Sequence, residues 1–203
     1  DAGYAMSISV ETLKKHGQIN ALLEAMKNWD QLRYANVFTE EQKNRLKDPE
    51  TEWHLEKVDA KNFLLYPLYI SERYRCTLSE MQPGQPGGAD WTWQSPDQSN
   101  FALRIKIEGE GAIANPSFRT PLGVVKIMGK AEAGQYILLD NQGKATLTDK
   151  NYNILSTLEV EGKALIPKGS CAVSFACDVE GENKPDVVVR YETRQAPEKI
   201  TCP

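Results

Sequence analysis

The feature that most constrains the fold is a series of short strand-like stretches from Trp91 onward. They alternate apolar and polar residues, and Gly, Asn, Asp or Pro turns separate them at intervals of roughly eight to twelve residues. No helical pattern alternates with them, which disfavours a parallel sheet. The pattern predicts a mainly-β fold, an antiparallel β-sandwich or jelly roll, over residues 89–203. The predicted strands are WTWQS, FALRIKIEG, GVVKIMG, QYILLD, KATLTD, NILSTLEVEG, CAVSFACDV and DVVVRYET.

A short helical segment is predicted in front of the sandwich, over residues 1–50. Apolar residues there recur with the spacing of one buried helix face. Thr39 and Gln42 form a capping-box pattern for a further short helix, and Pro49 ends it. We expect this segment to be a linker or the end of an upstream domain. The periodic apolar residues are Ile19, Leu22, Leu23, Met26, Trp29 and Leu32.

Residues 51–88 are predicted to connect these two parts. The stretches EWHLEKV and NFLLYPLYISERYRC follow a period of two and are joined by residues 59–61, which favours a β-hairpin or two successive strands. The stretch EMQPGQPGGAD that follows is rich in Gly and Pro and is predicted to be a long loop or linker.

Charge and hydropathy exclude two kinds of partner. The net charge is -4, and basic residues are interleaved with acidic ones, so we expect no nucleic acid as a partner. No apolar run reaches the ~18 residues that a membrane-spanning helix needs. The chain opens with DAGYAMS, without an initiator Met, which favours a start inside a longer gene product.

The cysteines show no zinc-binding spacing, so we expect no metal there. Cys171 and Cys177 lie on one predicted strand, roughly 20 Å apart at ~3.3 Å per residue, which is too far for a mutual disulfide. They share parity with Val173, so both are predicted to be buried, free thiols. A bridge between Cys76 and Cys202 in an oxidising compartment stays open.

Recognisable catalytic machinery is absent from the sequence. His16 and His54 are the only histidines, and no hydrolase, metalloprotease or nucleotide-binding motif is present. Residues 149–153 copy the opening of a calcium loop, but Ile154 and Val160 occupy the places of its Gly and Glu, so a plain turn is predicted. We expect no cofactor. Paired carboxylates of a glycoside hydrolase stay open as an alternative.

Four aromatic residues are candidates for carbohydrate binding. Trp91 and Trp93 are two residues apart on one strand and point to the same side, and Tyr136 and Tyr152 lie beside turns. Flat aromatic rings near Asp, Asn and Gln are typical of sugar-binding surfaces. The alternative is that the tryptophans are core residues or cover the junction with the helical segment.

The sequence also resembles a known class of domain. The stretch NPSFRTPLGVVKIMGKAEAGQYILLDNQGKATLTDKNYN, followed by LIPKGSCAVSF and DVVVRYET, is similar to C-terminal jelly-roll (galactose-binding-like) accessory domains of large secreted Bacteroidetes-type glycan-degrading enzymes. The stretch from Trp29 to Val58 resembles the segment that closes the catalytic domain of such enzymes. A looser version of the same plan occurs in the galectin-like domain of phage distal tail proteins.

The resemblance implies a non-catalytic accessory module that binds carbohydrate weakly or braces a catalytic domain. It implies two partners, an upstream catalytic domain of the same polypeptide and a polysaccharide. It also implies a secreted, periplasmic or cell-surface location. Two further readings stay open: a glycoside hydrolase or lyase fragment with unidentified acidic residues, and a structural docking domain of the phage-tail kind.

Overall fold

The computed structural model describes residues 9–81 and 87–203, and it divides into two compact units. The opening DAGYAMS stretch and positions 82–86 of the predicted Gly/Pro-rich connection lie outside the described residues. This division does not coincide with the domain boundaries predicted at residues 50 and 88. Those boundaries, which concern independently folding domains, stay predictions. The first unit contains Asp1–Leu68, Asn151–Asn153 and Gln195–Pro203, and the second contains Tyr69–Lys150 and Ile154–Arg194.

The described residues form a mainly antiparallel β structure with three helices, which confirms the predicted fold class. The helices are α1 (Val10–Lys15), α2 (Ile19–Ala35) and α3 (Glu40–Leu46). The strands are β1 (Glu52–Lys57), β2 (Asn62–Ile70), β3 (Tyr74–Thr77), β4 (Gly87–Ser95), β5 (Ser99–Glu108), β6 (Ala112–Thr120), β7 (Gly123–Met128), β8 (Lys130–Glu132), β9 (Tyr136–Leu139), β10 (Ala145–Thr148), β11 (Ile154–Gly162), β12 (Leu165–Ile166), β13 (Gly169–Glu180), β14 (Asp186–Arg194) and β15 (Glu198–Thr201). A single 3₁₀ turn, Leu78–Glu80, follows β3.

The helices of the first unit begin and end where local side chains satisfy the backbone. The predicted capping box of α3 is confirmed, because Thr39 Oγ1 accepts from the Gln42 N–H at 3.1 Å and Gln42 Oε1 accepts from the Thr39 N–H at 2.9 Å. Gly17 separates α1 from α2. A Cβ at Gly17 would lie 2.1 Å from the carbonyl oxygen of Tyr152, so only glycine fits there.

The sheet of the first unit has the order β1–β2–β15, with all neighbours antiparallel. The predicted hairpin of β1 and β2 is therefore confirmed. Alternate residues of β2, Phe63 and Leu65, are fully buried and belong to the same apolar cluster as Leu32 of α2. The core of this unit thus lies between the helices and one face of the sheet.

The second unit is a sandwich made from one antiparallel sheet that folds over on itself. Its strands follow the order β3–β14–β5–β9–β10–β11–β7–β6–β13–β4. Trp93 of β4 and Tyr191 of β14 come from opposite ends of this order, yet their rings stack with centroids 4.1 Å apart. The two ends of the sheet therefore face each other across a common core.

The inner faces of the sandwich follow the period of two that the sequence predicts. On β13 every second residue from Cys171 to Cys177 is buried, with exposed neighbours between them. The prediction of buried, free thiols is confirmed for both residues. Cys76 and Cys202 are also free and buried, in the cores of the second and first units respectively, so no disulfide joins them.

A tight turn joins β9 to β10 and positions the candidate site. In this hairpin Ala145 pairs with Leu139. Asp140 Oδ1 accepts from the backbone N–H groups of Gln142 and Lys144, at 2.9 Å each. Gly143 has a φ of 83°, which a residue with a side chain rarely adopts. The turn therefore presents exposed side chains, those of Gln142 and Lys144 among them, between two paired strands.

Candidate functional site

Trp93, one of the four aromatic candidates, is a core residue. Its side chain is 0% exposed, and its ring contacts Phe101 edge-on at 5.4 Å as well as Tyr191. A ring with no exposed face cannot stack on a sugar, so its predicted binding role is corrected to a core role. Period two places this residue on the inner face, and the opposite end of the folded sheet covers it.

Trp91 lies on the same inner face as Trp93, as predicted, but at a half-buried position. Its ring stacks on Phe175 at 5.5 Å and lies 5.6 Å from the ring of Tyr74. The two tryptophan rings are nearly parallel, with centroids 6.5 Å apart. Trp91 therefore closes the rim of an aromatic stack, and its remaining exposed edge keeps its binding role a prediction.

Tyr136 does not join the tryptophans in one surface, and Tyr152 belongs to the other unit. Tyr136 lies on the outer face of β9, next to Lys106 of β5 in the strand register. Tyr152 belongs to the first unit, where it has a φ of 62° and its ring lies 5.4 Å from that of His16. Their binding roles stay predictions. Tyr136 lies on an outer face of the sandwich, whereas Trp91 lies on an inner face.

Tyr191 is the aromatic residue that the sequence reasoning missed. Its hydroxyl donates to the Gln94 carbonyl at 2.6 Å and accepts from the Gln94 N–H at 2.8 Å. Burial raises the pKa of this hydroxyl well above its ordinary value. The inward parity of the stretch DVVVRYET was the available signal. Tyr191 thereby links β14 to β4 across the core, which is a structural role.

The second unit also has an open cleft at the end of the sandwich where the β9–β10 turn lies. This end cleft has a volume of about 450 Å³. Its polar wall consists of Asn100, Asp140, Asn141, Gln142 and Lys163. The side chains of Val160 and Leu165 form a half-buried apolar patch beside them.

Backbone contacts hold the polar wall of the end cleft in place. Asn100 Nδ2 donates to the Asn141 carbonyl at 3.2 Å, which ties β5 to the turn. Asn141 Nδ2 lies 3.5 Å from Glu192 Oε1, a long hydrogen bond. Asn141 Oδ1 is shielded from solvent and has no hydrogen-bond partner among the described residues. This unsatisfied acceptor therefore lies beneath the surface of the cleft and not in its open space.

Two further groups of the end cleft are available to a ligand. Gln142 and Lys163 are exposed, and neither side chain has an ion pair or hydrogen bond to other residues of the ranges 9–81 and 87–203. An amide supplies both a donor and an acceptor, and an ammonium supplies donors only. Both groups can hydrogen-bond to hydroxyl groups of a ligand.

A second cleft of about 510 Å³ is lined by residues that include Ser79, Glu110, Asn183 and Asp186. Glu110 and Asp186, two of its three acidic residues, are already engaged. Asp186 Oδ2 accepts from Arg75 at 2.9 Å and Asp186 Oδ1 from Ser79 at 3.0 Å, and Glu110 accepts from Asn183 at 3.1 Å. These mutual contacts leave this acidic cleft with less unused bonding capacity than the end cleft.

Each of the two histidines lies beside a tyrosine ring. The His16 ring lies against Tyr152, and the His54 ring lies 6.1 Å from that of Tyr66. No group of three or more potential metal ligands occurs within residues 9–81 and 87–203. In the same ranges, no helix has the length and hydropathy that crossing a bilayer would require.

Comparison with known proteins gives no relative from which a role could be carried over. No family model matches the chain, and neither a curated protein nor a solved structure matches it. The resemblance to jelly-roll accessory domains therefore stays a prediction, and the local geometry has to support any function.

Proposed function

We propose that this chain is a non-catalytic accessory module of a secreted polysaccharide-degrading enzyme and that it binds carbohydrate through the end cleft. The observation that supports this most is a pair of exposed polar side chains with unused hydrogen-bonding capacity in one open cleft, namely Gln142 and Lys163. The aromatic stack of Trp91 and Trp93 supports it less, because those rings are largely covered.

The chemistry of the cleft suits a sugar unit. Hydroxyl groups both donate and accept, so they are matched by the amide of Gln142 and by the Lys163 ammonium. The apolar C–H face of a pyranose would lie on Val160 and Leu165, which are half-buried. Such a site lacks a wide aromatic platform, so we expect weak binding, in keeping with an accessory role.

The test is a binding measurement on a double variant, Asn141→Ala with Gln142→Ala. Soluble plant and microbial polysaccharides are screened by affinity electrophoresis, and the best ligand is quantified by calorimetry. We expect the double variant to bind at least about tenfold more weakly, the equivalent of ~1.4 kcal/mol. Its melting temperature should stay close to that of the wild type.

Asn183→Ala is the matched control, because it removes the same side chain from the acidic cleft. It should bind like the wild type. If Trp91→Ala abolishes binding while the double variant does not, the glycan site is the aromatic rim, and the end cleft is excluded. If the wild-type protein binds no polysaccharide at all, carbohydrate binding is excluded.

A bracing role is the second candidate, and exposed apolar residues of the first unit favour it. On α2, Leu22 and Leu23 are 51% and 40% exposed, and Tyr34 is 79% exposed. Adjacent exposed leucines are typical of a surface that another domain covers. In the parent polypeptide, Leu22→Asp with Leu23→Asp should lower the melting temperature of the catalytic domain and leave that of the isolated chain unchanged.

A hydrolase or lyase fragment and a phage-tail docking domain have less support than glycan binding. A hydrolase or lyase would need a pair of carboxylates with distinct roles, and a docking domain would need a defined protein surface. No contact within residues 9–81 and 87–203 favours either one over glycan binding.

A further inference from the structure

Two cysteines of the second unit lie on strands from different parts of the sheet, yet both are close to the same segment of β4. Cys76 lies on β3, which pairs with β14, and Cys177 lies on β13, which pairs with β4 and β6. Both are buried in the same apolar cluster. They are therefore candidates for a covalent link across the sandwich.

Strand β4 brings the two segments to one point. Cys76 Sγ lies 3.3 Å from the carbonyl oxygen of Gly88, and the neighbouring Gly87 is the register partner of Cys177. Paired residues of antiparallel strands have Cα atoms about 4.5–5.5 Å apart. The Cys76 sulfur therefore contacts Gly88, and the adjacent Gly87 is the strand partner of Cys177.

Gly87 also shows how closely the flanking residues approach. A Cβ built on Gly87 would lie 3.1 Å from Leu78 Cδ2, 3.1 Å from Val179 Cγ2 and 3.0 Å from the Cys177 carbonyl oxygen. Leu78 follows Cys76 by two residues, and Val179 follows Cys177 by two residues. Because Gly87 has no side chain, the side chains of Leu78 and Val179 both approach β4 closely at this point.

We propose that Cys76 and Cys177 form a disulfide bond when the protein meets an oxidising small-molecule disulfide. With oxidised glutathione, one cysteine thiolate attacks the glutathione S–S bond and releases one reduced glutathione. The second cysteine then attacks the mixed disulfide and releases the other. The two thiol protons end on the two glutathione thiols, so the reaction is balanced. The product links the two layers of the sandwich.

The thiols react slowly in the folded protein. Burial is the main cause that raises the pKa of Cys76 to about 11 and that of Cys177 to about 12. The proximity of Cys76 contributes to the shift at Cys177. The thiolate that attacks is thus scarce near neutral pH, and the bond forms fastest during refolding or at raised pH.

The test is refolding of the full chain in oxidised or reduced glutathione, followed by alkylation in denaturant and peptide mapping. In the oxidised sample we expect two of the four thiols to resist alkylation and a linked peptide pair containing Cys76 and Cys177. The melting temperature should rise by about 5 to 15 °C relative to the reduced sample, because the link closes a long loop.

Alanine variants make the test specific. Cys171→Ala and Cys202→Ala should keep the linked peptide, and Cys76→Ala and Cys177→Ala should lose it. Peptide mapping of the wild type requires no variant to fold. Four alkylated thiols after oxidative refolding, a link that involves Cys171 or Cys202, or glutathione adducts alone would each overturn the proposal.

Discussion

The aromatic stack and the end cleft, both in the second unit, use their side chains in opposite ways. In the stack, Trp93 and Tyr191 are almost wholly buried and contact several neighbours each. In the cleft, Gln142 and Lys163 are exposed and have no partner among the described residues. Side chains that contact one another stabilise the fold, and exposed side chains with unused hydrogen-bonding capacity are available for a ligand. Substitutions in the two regions test this difference.

Trp93→Ala should cause the largest loss of stability. The change removes a fully buried ring from between two layers, and large-to-small core changes of this kind cost about 3–5 kcal/mol. Chemical denaturation monitored by circular dichroism measures the loss. Trp91→Ala is the comparison, and it should cost clearly less because this ring is only half-buried at the rim. Equal losses would show that both rings belong equally to the core.

Tyr191→Phe should have the next largest effect. The change keeps the ring stack but removes a hydroxyl that serves both the N–H and the carbonyl of Gln94. Leaving those backbone groups without a partner costs about 1–3 kcal/mol. The same denaturation experiment measures this, with Tyr34→Phe, at a position that is 79% exposed, as the control. A cost near zero would mean that water replaces the hydroxyl.

Glu108→Gln should have a smaller effect that depends on pH. Hydrogen bonds from Lys106 and Arg75, at 2.6 Å each, hold the pKa of the Glu108 carboxyl below its ordinary value. Because the folded-state pKa is lowered, the stabilisation is present above the unfolded-state pKa and is lost as the pH falls through the folded-state pKa. These partly exposed pairs contribute less than about 1 kcal/mol.

Melting curves of Glu108→Gln and the wild type, recorded between neutral pH and about pH 3, check the sign of this effect. The variant should melt lower at neutral pH, and the two curves should converge as the solution becomes acidic. Asp90→Asn, an exposed position on β4, is the control and should show a smaller difference. A difference that grows toward acid would contradict the assigned charge pairing.

Local patterns in the sequence predicted the secondary structure well because they depend on near neighbours. The capping box of Thr39 and the inward parity of Cys171 and Cys177 both follow from period and spacing alone. The burial of Trp93 could not be predicted in the same way. A period of two shows which residues of a strand share a face, but long-range pairing decides which face the other layer covers.

The end cleft was beyond sequence reasoning for a similar reason. Asn100, Asn141 and Lys163 come from three distant segments, and the long-range pairing of β5 with β9 and with β12 brings them together. The turn around Gly143 was predicted, yet nothing in its sequence indicates what lies beside it. Likewise β15 pairs with β2, residues far apart along the chain, and no local signal announces that pairing.

Asn141→Ala should have the smallest effect on stability and so provides the sharpest contrast with Trp93→Ala. The change removes one long hydrogen bond to Glu192, but it also removes a shielded oxygen that has no partner among the described residues. The loss of a weak contact and the loss of an unsatisfied acceptor oppose each other, so the net change should lie within about 0.5 kcal/mol. Denaturation at one pH measures it, and Asn100→Ala is the matched comparison. Because Asn100 ties the turn to β5 through the Asn141 carbonyl, its removal should cost more than the loss of the Asn141 side chain itself. A loss of about 2 kcal/mol for Asn141→Ala would place this residue with the stabilising groups of the aromatic stack, and the cleft would then lose its most distinctive feature.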